Sequence, residues 1–133
     1  MRERAARAMG FIVGLMLTVA APAQEGHPLT GTWYGDWGTS QTQRTQITVV
    51  MSWDGKKVNG IIDPGPDSAP LTLATLDSTK WTVHLEADRK DASGNPVHIV
   101  ADGKLENIGS YSRTLAGTWT QGTTKADFKL KRD

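Results

Sequence analysis

The sequence has 133 residues, with 15 basic and 14 acidic side chains and no cysteine, and its length suits one small domain. The lack of cysteine excludes a disulfide framework, a thiolate zinc site and a lipidated cysteine. No stretch is long and apolar enough to cross a bilayer. Without the signal predicted below, 12 basic residues face 13 acidic ones, so nucleic acid is not an expected partner.

The N-terminal segment has the three parts of a signal peptide. Three arginines precede an apolar run at residues 11–20, and Ala21 and Ala23 supply the small residues that a signal peptidase reads. The run is shorter than the roughly 20 residues that a membrane-spanning helix needs. We therefore predict a signal peptide at residues 1–23, cleaved near Ala23, and an exported domain, periplasmic or secreted, at residues 24–133.

The rest of the chain alternates apolar and polar residues with period two, and it has no sustained helical period. In the last segment, Ala126, Phe128 and Leu130 share one face while lysines share the other. Turn-forming residues separate about eight such runs. The runs lie near residues 30–37, 44–53, 57–63, 70–76, 80–88, 96–106, 113–120 and 124–131. Short connections favour an all-β, antiparallel up-and-down barrel, and a β-sandwich is the alternative.

The tripeptide Gly-Thr-Trp occurs twice, once at each side of the predicted domain. Its copies begin at Gly31 and Gly117. Residues two apart in a strand lie on the same face, so each glycine leaves room beside an inward tryptophan ring. We interpret Gly31, Trp33, Gly117 and Trp119 as structural residues that plug the barrel.

The other three tryptophans are Trp37, Trp53 and Trp81, which lie near strand ends with inward parity. Aromatic walls at a barrel mouth suit small apolar or planar ligands, so we predict that these three bind a ligand. A cavity of about 300 Å³ or more beside them would favour a carrier. Two alternatives stay open: all five rings belong to the core, or exposed rings stack on sugars.

The first predicted strand resembles that of lipocalins and of the avidin family in the segment Leu29-Thr30-Gly31-Thr32-Trp33-Tyr34. A second avidin segment, whose tryptophan contacts biotin, is similar to Lys80-Trp81-Thr82-Val83. The resemblance implies a barrel of similar shape. It does not extend to the biotin site, because Gly35 stands where avidins have a pocket asparagine and Asn59-Gly60-Ile61-Ile62 lacks their Tyr-x-Ser pair.

Six segments carry a further resemblance: Gly31–Gly38, Trp53–Lys56, Asp63–Pro66, His84–Asp88, Gly117–Gly122 and Asp127–Lys129. Through them, nearly all of residues 24–133 resembles a group of small exported bacterial proteins, and also lipocalin-like accessory domains that occur beside bacterial hydrolases. This resemblance implies an exported β-barrel module, and it transfers no catalytic or binding residues.

Histidines and carboxylates on one predicted strand pair are the remaining candidates for chemistry. His84 and His98 share the outward parity with Glu86 and Asp102, and this donor set suits a divalent transition metal. An exposed strand face offers no closed second shell, however, so we expect a solvated polar face, no metal and no cofactor. His27 is expected to lie in a loose tail.

The sequence has no motif typical of an enzyme: no Gly-x-Ser-x-Gly elbow, no His-Glu-x-x-His and no phosphate-binding glycine loop. Glu86, Asp88 and Asp127 have outward parity, whereas a glycosidase needs two carboxyl groups in a cleft. We therefore predict a non-enzymatic exported binding module for a small apolar or planar ligand. The alternative is an accessory, protein-interaction or carbohydrate-binding module of the cell envelope with a filled interior. The sequence does not indicate a protein partner.

Overall fold

Eight strands make up most of the chain that the structure describes. The computed structural model describes residues 27–110 and 112–132, so the predicted signal peptide lies outside the described residues. The strands are β1 (Gly31–Gly38), β2 (Arg44–Trp53), β3 (Val58–Ile62), β4 (Ala69–Asp77), β5 (Thr82–Lys90), β6 (Pro96–Glu106), β7 (Thr114–Gln121) and β8 (Thr124–Arg132). Within this part of the chain there is no helix that could cross a membrane.

Each strand pairs antiparallel with the next one in the chain, and β8 pairs with β1. The sheet is therefore a closed up-and-down barrel, in the order β1 to β8. The predicted all-β barrel of eight strands is confirmed, and the β-sandwich alternative is wrong. Short turns explain this topology, because they join neighbouring antiparallel strands and leave no long crossover for a second sheet.

The barrel interior is filled by the side chains that the period-two pattern places inward. On β2, Ile47, Val49 and Met51 are at most 3% exposed, and on β8 Phe128 and Leu130 are at most 2% exposed. No polar or charged side chain of the described residues belongs to this buried core. The interior is thus apolar throughout, which agrees with the alternation read from the sequence.

On the outer surface, one arginine forms ion pairs with β1 and β8, the first and last strands of the barrel. The Arg44 guanidinium lies 2.7 Å from the Asp36 carboxylate on β1 and 3.1 Å from the Asp127 carboxylate on β8. The hydrogen bond from Arg44 holds the pKa of Asp127 below its ordinary value. Three neighbouring strands are therefore linked where the first and last strands of the sheet meet.

Two glycines lie where the backbone of a neighbouring strand leaves no room for a side chain. A Cβ atom on Gly35 would lie 1.8 Å from the carbonyl oxygen of Lys129, and one on Gly117 would lie 2.1 Å from that of Asp102. Gly117 thus permits the approach of β6 backbone. The ring of Phe128 lies over Gly103, whose Cβ would be 3.0 Å from its Cζ. Any larger residue at Gly35 or Gly117 would push two strands apart.

The two ends of the barrel are named here after a tryptophan at each. The Trp81 end holds residues 27–30 and the connections at 54–57, 78–81 and 107–110 with 112–113, whereas the Trp119 end holds those at 39–43, 63–68, 91–95 and 122–123. Residues 27–30 cross the Trp81 end, where Leu29 is completely buried and its carbonyl accepts a hydrogen bond from Trp33 Nε1 at 2.9 Å. This segment closes the apolar interior at that end.

Candidate functional site

An open groove of about 600 Å³ lies at the Trp81 end, and we call it the rim groove. Its apolar lining consists of Trp53, Val58, Leu73, Ala74, Leu76 and Trp81. The rest of its lining consists of His27, Pro28, Lys56, Lys57, Thr75 and Ser78. Small-molecule sites typically have volumes of about 300–1,000 Å³, with mostly apolar walls and a few polar groups. The rim groove matches this description in size and composition.

Beside the groove lies a gap between two strands, which we call the seam. β3 and β4 form only two register pairs, Ile61 with Pro70 and Ile62 with Ala69, whereas β5 and β6 form nine. A β-bulge between Leu71 and Leu73 shifts the register of β4 on its other side. Beyond the two pairs, towards the Trp81 end, the strands enclose a smaller open cavity of about 100 Å³. Four of its lining residues also line the rim groove, so the two spaces are neighbours.

Local sequence explains why the sheet opens at the seam. Pro70 has no N–H to donate to a ladder, and proline within a sheet is found at edges or bulges. On the facing strand, Asn59 and Gly60 are both poor strand formers. A Cβ atom on Gly60 would also lie 2.8 Å from Leu71 Cδ1, so this side chain of β4 lies directly over the glycine. Because of these residues, β3 and β4 are joined by few backbone hydrogen bonds, and few are broken when the two strands separate.

One wall of the rim groove is a stacked pair of rings. His27 lies against Trp53 with ring centroids 4.5 Å apart and an interplanar angle of 22°. His27 Nδ1 accepts a hydrogen bond from the N–H of Leu29 at 3.1 Å, and burial lowers the pKa of this imidazole. The expectation that His27 lies in a loose tail is therefore wrong. The sequence gives no signal for this contact, because stacking depends on where residues 27–30 cross the barrel end.

Trp81, which also lines the groove, has an unusual backbone conformation. Its φ is +58°, in the left-handed region, and this is rare for a bulky side chain. The carbonyl of Trp81 accepts a hydrogen bond from the N–H of Leu105 at 2.8 Å, which holds the residue against β6. The preceding turn is fixed by Asp77, whose carboxylate accepts the N–H of Thr79 at 2.9 Å. Backbone strain of this kind is concentrated at functional sites in proteins.

The third predicted ligand-binding tryptophan lies elsewhere. Trp37 is the penultimate residue of β1, at the Trp119 end, where its ring stacks on that of Trp119 with ring centroids 6.0 Å apart. Phe128 meets Trp119 edge-on at 5.7 Å. A separate groove of about 250 Å³ borders Trp37 and Arg44. The structure therefore brings Trp53 and Trp81 together and places Trp37 at the far end of the barrel.

The two tryptophans interpreted as plugs are both buried. Trp33 is completely buried beneath Leu29, towards the Trp81 end, and Trp119 is 1% exposed, towards the other end. Trp119 Nε1 donates to the side-chain oxygen of Gln121 at 3.1 Å. Each indole N–H thus has a partner, which is what lets so large a ring be buried. Gly31, with φ +132°, faces the side chain of Arg132.

The histidines of β5 and β6 belong to a chain of hydrogen bonds on the outer face, which we call the histidine ladder. Its order is Asp102, His84, Glu86, His98, Asp88, with successive side-chain distances of 2.5, 2.6, 2.9 and 2.7 Å. Hydrogen bonds to Asp102 and then Glu86 raise the pKa of His84, and bonds to Asp88 and then Glu86 raise that of His98. Both histidines lower the pKa of Glu86.

The register of β5 and β6 separates the two imidazoles. His84 lies opposite Asp102 and His98 lies opposite Asp88, so the carboxylate of Glu86 is between the two rings. Within residues 27–110 and 112–132, no three histidine or carboxylate side chains are placed to share one metal ion. All four ring nitrogens instead bond to carboxylates. The ladder is thus suited to holding protons and to joining two strands.

No protein-family model, curated protein or solved structure matches this chain. The resemblance to lipocalins, avidins and small exported bacterial proteins therefore stays a prediction. The rim groove and the histidine ladder are interpreted below from their own geometry.

Proposed function

We propose that this protein is an exported, non-enzymatic binding module that holds one small, planar and largely apolar molecule in the rim groove. The observation that carries the proposal is the groove itself, with about 600 Å³ of open space whose lining includes both Trp53 and Trp81. Export is proposed from the signal-like pattern of residues 1–23. The site is at the rim, because Leu29 and Trp33 fill the interior beneath it.

Two features of the groove support a planar ligand. Its widest aromatic surfaces are two half-buried indoles, one at the end of β2 and one in the connection between β4 and β5, and flat molecules gain most by stacking on such faces. The second feature is the seam, which lets the walls of the groove move apart. Because β3 and β4 are joined by only two register pairs, the walls at Val58 and Leu73 can separate without breaking a long ladder. A ligand larger than the groove could thus be admitted at small cost.

The proposal is tested by fluorescence titration with N-phenyl-1-naphthylamine, a neutral and apolar probe that carries two flat aromatic ring systems. We expect saturable binding to the wild-type protein, and at least about tenfold weaker binding to Trp81→Ala, because an aromatic contact in a site contributes on the order of 1 kcal/mol beyond its buried area. Trp53→Ala should weaken binding similarly. Far-ultraviolet circular dichroism verifies that each variant retains its β structure.

Two matched controls make the test specific to the rim groove. Tyr34→Ala removes an exposed aromatic residue from the outer face of β1, where Tyr34 is 50% exposed. Trp37→Ala removes a tryptophan from the Trp119 end. Both variants should bind the probe like the wild type. Equal binding by wild type and Trp81→Ala would refute the proposal, and saturable binding of a soluble oligosaccharide instead of the probe would favour a carbohydrate-binding module.

A further inference from the structure

The charged side chains that line the rim groove are of one sign. Lys56 and Lys57, from the connection between β2 and β3, line the groove, and no aspartate or glutamate does. Among the described residues, neither ammonium lies within salt-bridge distance of a carboxylate. Thr75 and Ser78 add hydroxyl groups to the lining. The polar part of the site is therefore cationic with neutral hydrogen-bonding groups beside it.

The two acidic residues nearest the groove in the chain are occupied by their own turns. The Asp54 carboxylate accepts the N–H groups of Lys56 and Lys57 at 2.8 and 2.9 Å, and also the Asn59 amide at 3.1 Å. These bonds, and to a lesser extent the nearby charge of Lys57, hold the pKa of Asp54 below its ordinary value. At the facing connection, Asp77 accepts the N–H groups of Thr79 and Lys80 at 2.9 and 3.3 Å. Both carboxylates are directed at backbone N–H groups and do not line the groove.

We propose that the rim groove selects a planar apolar molecule that carries an anionic group, such as an aromatic carboxylate or sulfonate. The apolar body lies between Trp53 and Trp81, and the anion lies at Lys56 and Lys57. Charge complementarity favours this occupant over a neutral or cationic one, since an anion is attracted by both ammonium groups and meets no carboxylate in the lining. This inference rests on the proposed function, because it names the ligand class of the same groove.

The test compares two probes with the same aromatic body and different charge. The anionic probe is 8-anilino-1-naphthalenesulfonate and the neutral one is N-phenyl-1-naphthylamine. A pair of unit charges about 4 Å apart in water interacts strongly enough to change affinity by roughly fivefold, so two lysines should favour the anionic probe by about tenfold at low salt. Raising the ionic strength to about 1 M shortens the Debye length to about 3 Å and should remove most of this preference.

The decisive variant is Lys56→Gln with Lys57→Gln, which should reduce affinity for the anionic probe to that for the neutral probe. Its matched control is Lys125→Gln with Lys129→Gln, which removes the same charge from exposed positions on β8 and should leave the preference intact. Both substitutions are at exposed side chains, so the fold is retained.

The outcomes separate this inference from the proposed function. Suppose that the neutral probe binds the wild type and that Trp81→Ala loses this binding. If the wild type then binds the anionic probe no more tightly than the neutral one, or if Lys56→Gln with Lys57→Gln still prefers the anionic probe, the charge selection is refuted and the rim groove stands as a binding site. An equal loss of preference in the β8 control would mean that net charge alone is responsible, and it would also refute the inference. If Trp81→Ala binds both probes like the wild type, the proposed function itself fails.

Discussion

The two ends of the barrel use tryptophan in opposite ways. At the Trp119 end, Trp119 is 1% exposed and contacts both Trp37 and Phe128, so aromatic rings seal the interior. At the Trp81 end, the interior is sealed by Leu29, which is completely buried, while the rings of Trp53 and Trp81 border the rim groove. The same residue type therefore stabilises the fold at one end and leaves aromatic surface accessible at the other.

The pairing of the strands also differs from one part of the barrel to another. β3 and β4 are paired only at Ile61 with Pro70 and Ile62 with Ala69, and they separate towards the Trp81 end. By contrast, the pairs of β7 and β8 extend without a register shift from Thr114 with Lys131 to Gln121 with Thr124. A closed barrel needs a continuous ladder for stability but an opening for a ligand. Within residues 27–110 and 112–132, β3 and β4 have the fewest register pairs of any two neighbouring strands, so the opening lies between them, towards the Trp81 end.

The largest predicted effect concerns this difference between the ends. Trp119→Ala should lower the free energy of unfolding by ~3–5 kcal/mol, because it leaves a large cavity beside Trp37 and Phe128. Trp33→Ala should cost a similar amount, since its ring is completely buried. Trp81→Ala should cost less, because the half-buried ring borders open space. Urea unfolding at equilibrium measures all three, within a total stability of ~5–15 kcal/mol for a domain of this kind.

The order of the three variants is what distinguishes the two ends. If Trp81→Ala proves the most destabilising and leaves probe binding unchanged, Trp81 is a core residue and the distinction between the ends is wrong. The denaturant dependence of the unfolding free energy should be the same in all variants, and a changed slope would mean that a variant no longer unfolds in two states.

Most of the fold could be predicted from the sequence because the barrel has one buried face. Period-two alternation identifies that face, and turn residues between the runs separate the strands, so β2, β6 and the inward positions of β8 are at their predicted places. Strand ends differ by one or two residues. β5 begins at Thr82 and not at residue 80, because Trp81 has a left-handed backbone conformation and cannot continue an extended strand.

The candidate site was less predictable, because it depends on contacts between distant parts of the chain. Inward parity is shared by Trp37, Trp53 and Trp81, but parity does not tell at which end of the barrel a residue lies relative to the others. Counting strand direction from β1 would have separated Trp37 from the other two. The proline at residue 70 and the glycine at residue 60 were available signals for a weak strand pair. Nothing local indicates that His27 stacks on Trp53.

A smaller effect should come from the backbone of Trp81 itself. In the left-handed region a residue with a Cβ atom is disfavoured relative to glycine by roughly 1–2 kcal/mol. Trp81→Gly should therefore be more stable than Trp81→Ala by about 1 kcal/mol, reduced by the greater freedom of glycine in the unfolded chain. Both should bind N-phenyl-1-naphthylamine equally poorly. Urea unfolding of the two variants makes the comparison, and a more stable alanine variant would contradict a left-handed Trp81.

The smallest predicted effect is a pH dependence with opposite sign at two sites. The pKa values of His84 and His98 are raised above 6.5 in the folded protein, so the stability that the histidine ladder contributes is fully present below pH 6.5 and is lost as the pH rises through the raised values. The pKa of Glu86 is lowered below 4.5, so its part is present above pH 4.5 and is lost as the pH falls through the lowered value. The ladder therefore stabilises the fold most between pH 4.5 and 6.5.

At the Trp81 end the sign is reversed, because burial lowers the pKa of His27 below 6.5. His27 therefore costs stability as the pH falls through the range between 6.5 and its lowered pKa. Thermal unfolding from about pH 4 to about pH 9 measures the Tm of the wild type and of His84→Gln with His98→Gln. The difference between the two Tm values should be largest near pH 5.5 and smallest above the raised histidine pKa values. By contrast, the Tm of His27→Gln should decrease less than that of the wild type when the pH is lowered. A wild-type advantage over the ladder variant that is constant across this range would mean that the ladder contributes by packing or neutral hydrogen bonds, and that its exposed charges are screened by water.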